Sequence, residues 1–63
     1  MDNETLFEVF KAAIINEHNA YEFYLKAAEN SHNIEAKRLF ENFAATELGH
    51  RDQLEELYKA LKK

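Results

Sequence analysis

The sequence predicts an all-α protein, an antiparallel hairpin of two helices that pairs with a second copy to complete a four-helix bundle. Its 63 residues include no proline and a single glycine, while Ala, Leu, Glu and Lys, which favour long helices, are frequent. Apolar residues recur at alternating spacings of three and four along two stretches, which is typical of bundle helices. A short polar segment separates the stretches, so we treat residues 1–63 as one helical hairpin domain.

The first helix is expected over about residues 4–29. Asp2, Asn3 and Thr5 each suit its N-cap, and Thr5 with Glu8 has the spacing of a capping box. The apolar seam of this helix consists of Leu6, Phe10, Ala13, Glu17, Ala20, Tyr24 and Ala27. A second apolar stripe beside it consists of Phe7, Ile14, Tyr21 and Ala28.

The turn is expected at about residues 30–33 and the second helix at about residues 34–61. The segment "ENSHNI" breaks the apolar periodicity and gathers Asn, Ser and His, which favour caps and turns, so Ser31 or Asn33 caps the second helix. The seam of this helix consists of Ala36, Phe40, Phe43, Glu47, His50, Leu54, Leu57 and Leu61.

The apolar surface is wider than two helices can cover. The second stripe of the first helix is extended on the other flank by Val9 and Phe23, so a homodimer or a higher homo-oligomer is expected. A chain below roughly 70 to 80 residues also needs disulfides, metal or oligomerisation to reach ordinary stability. With no cysteine present, metal and oligomerisation are the candidates.

Composition excludes several classes of function. A formal net charge of -4 and the lack of a Lys/Arg stripe argue against a nucleic-acid partner. The apolar runs are too short for a transmembrane helix, and the acidic start "MDNETLFEVF" is unlike a signal peptide. A chain without cysteine is compatible with a reducing cytosol, so we expect a cytoplasmic protein with no membrane partner.

Three ionisable residues fall on the apolar seams, namely Glu17, Glu47 and His50. If the chain folds back at about residue 32, Glu17 and Glu47 lie at the same height, and His50 lies one turn from Glu47 on the same helix face. Burying such groups costs several kcal/mol per ion without compensation. Arg51, four residues after Glu47, is a potential partner for that carboxylate, but Glu17 has no cation at this spacing.

A divalent metal would neutralise all three groups together. Carboxylate and imidazole ligands without sulfur suit iron or manganese, with zinc as a substitute. One chain offers too few ligands for a two-metal site, whereas two hairpins about a two-fold axis provide two sets of Glu17, Glu47 and His50. A glutamate from each of two helices and Glu-x-x-His from each of the other two is the ligand set of ferritin-like di-iron carboxylate bundles.

The chain resembles the rubrerythrin branch of the ferritin-like superfamily. The stretch "EHNAYEFYLKAA" (17–28) resembles the metal-binding first helix of that family, and "AKRLFENFAATELGH" (36–50) resembles its second helix, ending in Glu-x-x-His. The resemblance covers half of the family's four-helix domain. In this respect the chain is similar to the helical hairpins of encapsulated ferritins. It implies two iron ions per dimer held by Glu17, Glu47 and His50, with Glu47 a candidate bridge between them.

The resemblance also implies oxidation of Fe(II) with oxygen or peroxide, as a ferroxidase or a rubrerythrin-like peroxidase, with no catalytic residue beyond the metal ligands. Rubrerythrins proper carry a four-cysteine iron centre that feeds electrons to the di-iron site, and a chain without cysteine cannot hold one. Peroxide reduction would therefore require an external electron donor, which ranks ferroxidase activity first.

Other interpretations of the same residues remain open. The hairpin can instead be a non-catalytic oligomerisation or partner-binding module, or half of a larger rubrerythrin. Glu17 can serve as a buried polar residue that fixes helix register. His18 and His32 are expected to be solvent-exposed rather than metal ligands.

Overall fold

The computed structural model describes residues 1–62 as two long helices connected by a short turn. Helix α1 is Asn3–Asn30 and helix α2 is Ile34–Leu61, each of 28 residues. The helices lie side by side in a rod of 47 × 15 × 14 Å, and the described residues contain no strand. The all-α hairpin predicted from the sequence is confirmed.

Both helices begin at a residue whose side chain caps the helix N-terminus. The Asp2 carboxylate accepts a hydrogen bond of 2.7 Å from the Thr5 backbone N–H, which makes Asp2 the N-cap of α1. The Asn33 side-chain oxygen accepts one of 2.9 Å from the Ala36 N–H, which makes Asn33 the N-cap of α2. Ser31 ends α1 instead, and its backbone N–H donates to the carbonyl of Ala28 at 3.3 Å.

Small residues and aromatic rings pack α1 against α2. Ala28 and Ala44 are the two fully buried residues among positions 1–62, and their short side chains allow the helices to approach closely. Near the turn, the rings of Tyr24 and Phe40 stack with their centroids 6.3 Å apart. At the opposite end, Tyr58 packs edge-on against Phe7 at 5.7 Å. Aromatic contacts thus hold both ends of the rod.

One long side of the hairpin remains apolar and exposed. With about 100° of rotation per residue, the same side of the rod receives a set of large residues from both helices, here named the open face. Its members are 41% to 66% exposed and comprise Val9, Phe23, Leu39, Phe43, Leu57 and Leu61.

The predicted seam of α2 is divided between two surfaces. Phe40 and Leu54 are half-buried near α1, but Phe43, Leu57 and Leu61 lie on the open face. Their places toward α1 are taken by Ala44, Leu48, Arg51 and Tyr58, which the predicted seam did not contain. The side of the rod opposite the open face is mostly charged, although Ile15 is 58% exposed there.

Over the part of the chain that the structure covers, neither helix is sufficiently long and apolar to cross a membrane.

Candidate metal centre

The three residues singled out in the sequence meet in space. Glu17 lies halfway along α1, and Glu47 and His50 lie near the middle of α2. One ligand atom from each residue can be chosen so that all of them lie within 4.8 Å of one another. His50 Nδ1 is 3.4 Å from Glu17 Oε2 and 3.5 Å from Glu47 Oε1. The imidazole therefore faces both carboxylates.

The two carboxylates are more deeply placed than the imidazole. The side chains of Glu17 and Glu47 are 25% and 23% exposed, whereas that of His50 is 53% exposed. Glu17 Oε2 is buried and accepts no hydrogen bond. A buried carboxylate oxygen without a donor carries an uncompensated desolvation cost, which a bound cation would offset.

The proximity of the carboxylates perturbs Glu47. A hydrogen bond with the Glu17 carboxyl raises the pKa of Glu47 above its usual value, since two carboxyl groups can share such a bond only when one is protonated. Burial and the charge of Glu17 act in the same direction, while the charge of His50 acts in the opposite one.

Arg51 does not neutralise the centre, although its spacing from Glu47 permits an ion pair. Its guanidinium instead lies 3.4 Å from Asp52 Oδ1, 3.9 Å from Glu55 Oε1 and 3.0 Å from His18 Nδ1. Within residues 1–62, His50 is the one basic side chain in ion-pair range of Glu17 or Glu47.

The centre opens onto a shallow cleft of about 390 Å³ beside the open face. Glu17 and His50 form part of its wall, and apolar side chains form most of the remainder. Gln53 also borders the cleft, one turn after His50. Sequence reasoning missed Gln53, although its i+3 spacing from His50 was a usable signal. The lining residues are Phe10, Glu17, His50, Gln53, Leu54 and Leu57.

Comparison with known proteins settles the family. The sequence matches the model of the rubrerythrin family over residues 4–63. The chain belongs to the rubrerythrin family. Neither the curated proteins nor the solved structures contain a match to this chain. All the residues of the candidate centre fall within the part that matches the rubrerythrin family.

The donor set fits the metal that the rubrerythrin family leads one to expect. Two carboxylates and one imidazole, with no sulfur, suit iron and manganese. The buried, unbonded oxygen of Glu17, with no lysine or arginine of residues 1–62 in ion-pair range of either carboxylate, gives the electrostatic reason for a metal ion at this point. A metal held by these three side chains would keep further coordination positions for ligands from elsewhere.

The remaining histidines and the nearby tyrosines lie outside this group. His32 is exposed in the turn, and His18 is exposed on the charged side of α1. Tyr24 packs on Phe40 and on Phe43, with centroids 6.3 Å and 5.2 Å apart, which favours a packing role for this residue.

Proposed function

We propose that two copies of this chain pair through their open faces and hold two iron ions between both sets of Glu17, Glu47 and His50. The dimer oxidises Fe(II) with oxygen or peroxide. The observation that carries this proposal is the convergence of the three ligands within 4.8 Å at mid-length of a rubrerythrin-family hairpin.

The need for a second copy follows from the shape of the site. One chain supplies three ligands, and the uncovered side of the centre faces the cleft and the open face. Because Glu17 and Glu47 lie halfway along their helices, a two-fold axis through the ligand layer superimposes the layers while keeping the 28-residue helices in full overlap. The same pairing would bury the exposed Phe43 and Leu57.

Each residue of the centre has a distinct task in this proposal. Glu17 and Glu47 would neutralise the cations, and Glu47 is the candidate bridge between both ions. His50 binds through a neutral ring nitrogen, so it and Glu47 must both be free of extra protons before metal enters. Phe10, Leu54 and Leu57 keep the cleft apolar and limit access of water. Iron, when bound there, would supply the electrons that reduce the oxidant.

Ferroxidase activity requires no other electron source because Fe(II) is itself the reductant. Peroxidase activity requires an external donor, because a chain without cysteine has no thiolate-bound iron centre. We therefore place oxidation of Fe(II) first. Manganese and zinc are expected to occupy the same ligands as substitutes.

The test is iron binding and oxygen uptake by purified protein. Wild type should bind about two ferrous ions per pair of chains, the number that one di-iron site requires, and should consume oxygen when Fe(II) is added. Glu47→Ala should lose both properties, and Glu41→Ala, an exposed glutamate on the same helix, should keep them. Oxidation of Fe(II) by Glu47→Ala at the wild-type rate would reject the assignment.

The exposed apolar surface also favours a second candidate, a non-catalytic oligomerisation or partner-binding module. In that case a chelator should change neither the melting temperature nor the mass of the assembly. A metal that binds only the folded dimer would instead stabilise it by mass action.

A further inference from the structure

A polar contact joins the two helices directly behind the candidate metal centre. Arg51 Nη1 lies 3.0 Å from His18 Nδ1. His18 follows Glu17 and Arg51 follows His50, so each helix contributes one ligand and the residue after it. Among residues 1–62 this is the one hydrogen bond between side chains of α1 and α2 that needs no protonated carboxyl.

We propose that Arg51 and His18 form a clamp that positions Glu17 against Glu47 and His50 and keeps the arginine charge away from the metal ligands. The clamp rests on the proposed metal site, and both of its members act through the ligands rather than on the metal.

The direction of the hydrogen bond follows from the chemistry of the two groups. A guanidinium has donors and no acceptor, so Arg51 Nη1 donates and His18 Nδ1 accepts. The other ring nitrogen of His18, Nε2, is left to face α1. That nitrogen lies 3.5 Å from Glu22 Oε1, one turn further along α1. The imidazole is thus oriented from both ends.

Arg51 lies near two carboxylates of its own helix. Its side chain is 24% exposed, with the guanidinium 3.4 Å from Asp52 Oδ1 and 3.9 Å from Glu55 Oε1. These carboxylates hold the guanidinium on the charged side of the hairpin, from which Nη1 reaches across to α1. The planar, multiply donating guanidinium suits such a junction better than a lysine ammonium.

The metal site requires a fixed register between α1 and α2, and apolar contacts alone do not fix that register. A register shift of one residue replaces each side chain by its neighbour, which lies about 1.5 Å along the helix axis and about 100° around it. Glu17 and His50, now 3.4 Å apart, would then no longer face each other. A directional hydrogen bond between α1 and α2 resists such a shift more specifically than the apolar contacts of buried Ala28 and Ala44, which have no directional preference.

The clamp also determines the position of the Arg51 guanidinium. Arg51 lies four residues after Glu47, a spacing at which oppositely charged side chains commonly pair. Such a pair would neutralise Glu47 and compete with a metal ion for it. With His18 as acceptor, Arg51 remains behind the ligand layer, and the Glu47 carboxylate stays available to bind metal.

Cobalt(II), whose absorption bands report ligand geometry, tests the clamp without any measurement of activity. His18→Ala removes the acceptor, and His18→Asn keeps an oxygen or nitrogen near the position of Nδ1. His32→Ala, an exposed histidine in the turn, is the matched control. We expect His18→Ala to weaken cobalt binding by about tenfold to a hundredfold, a loss typical for groups that orient metal ligands.

In the same titration His18→Asn should recover most of the affinity, and His32→Ala should bind like wild type. Wild-type affinity and an unchanged spectrum in His18→Ala would overturn the clamp, and so would equal losses in His18→Ala and His18→Asn. Should His18→Ala fail to fold, Arg51→Met carries the comparison: it removes the donor and the competing charge together, so it should lose affinity in the same direction but by less, and wild-type affinity in this variant would overturn the clamp. If wild type itself binds no cobalt and no iron, the proposed metal site fails instead, which distinguishes the two results.

Discussion

Glu17 Oε2 and His50 Nδ1 lie 3.4 Å apart across the two helices, yet the carboxylate oxygen accepts no hydrogen bond. An approach of this kind leaves a buried oxygen unsatisfied and an imidazole aimed at it. Within a single chain Glu17 Oε2 does not regain the hydrogen bonds that it lost on leaving water, whereas His50 remains half exposed. The relationship is understandable if the centre is organised for a cation, and several measurable consequences follow.

Metal should control assembly of the protein. Pairing two open faces without metal would gather the carboxylates of Glu17 and Glu47 from both copies, and their mutual repulsion opposes association. In chelator we expect predominantly monomer, and with Zn²⁺, which has no redox chemistry, predominantly dimer. Mass measured by analytical ultracentrifugation checks this.

The charge origin of that control can be separated from metal binding itself. A Glu17→Gln and Glu47→Gln double variant keeps the shape of both side chains but removes the repelling charges. This variant should dimerise without metal, and addition of Zn²⁺ should not change its mass. A wild-type protein that is fully dimeric in chelator would contradict the proposed linkage while leaving the ligand assignment intact.

The open face should be the surface that pairs. Leu57→Glu places a carboxylate in the proposed interface, where it has no partner, and should weaken the metal-loaded dimer by more than about tenfold. Ile15→Glu is the matched control, because Ile15 is 58% exposed on the other side and Leu57 is 52% exposed. Dissociation constants from dilution series compare the variants; equal effects would argue against this face.

The hairpin and the convergence of Glu17, Glu47 and His50 were predictable from sequence, and the rotation of α2 was not. The polar turn and the 3,4 periodicity fixed the fold back near residue 32, which placed Glu17 opposite Glu47. Both α1 and α2 carry apolar residues over more than one face, so periodicity could not decide which face meets the other helix. Hence Phe43 was assigned to the interhelical seam, and Ala44 was found there.

The partner of Arg51 was also beyond sequence reasoning. Spacing along one helix suggested Glu47, because the i,i+4 rule describes neighbours on the same helix and says nothing about the adjacent one. The contact with His18 depends on how closely α1 and α2 approach at the ligand layer. That distance follows from the small residues between the helices, whose effect is visible only in three dimensions.

A rise in pH should lower the stability of the metal-free protein and increase its affinity for metal. The hydrogen bond with Glu17 raises the pKa of Glu47 above 4.5, so the folded protein holds a proton that the unfolded chain has released. Stability of the metal-free protein should therefore fall as pH rises from about 4.5 through the raised pKa. Metal affinity should instead increase with pH, because the metal must displace that proton.

Chemical denaturation in chelator across this pH window measures the first effect, and cobalt titration measures the second. Glu47→Gln is the control for stability, since an amide does not titrate and its contribution to the slope should vanish. An identical slope in wild type and Glu47→Gln would assign the pH dependence to other groups.

The cap of α2 should contribute measurably to stability. Asn33→Ala removes the acceptor that binds the Ala36 N–H at 2.9 Å and should cost about 1 kcal/mol. In a domain of this size that cost lowers the melting temperature by about 4–8 °C. Asn19→Ala, an exposed change within α1, is the matched control and should be neutral or slightly stabilising because alanine favours helix interiors. Thermal unfolding followed by circular dichroism in chelator compares the two, and an equal loss in both variants would show that the cap is not the cause.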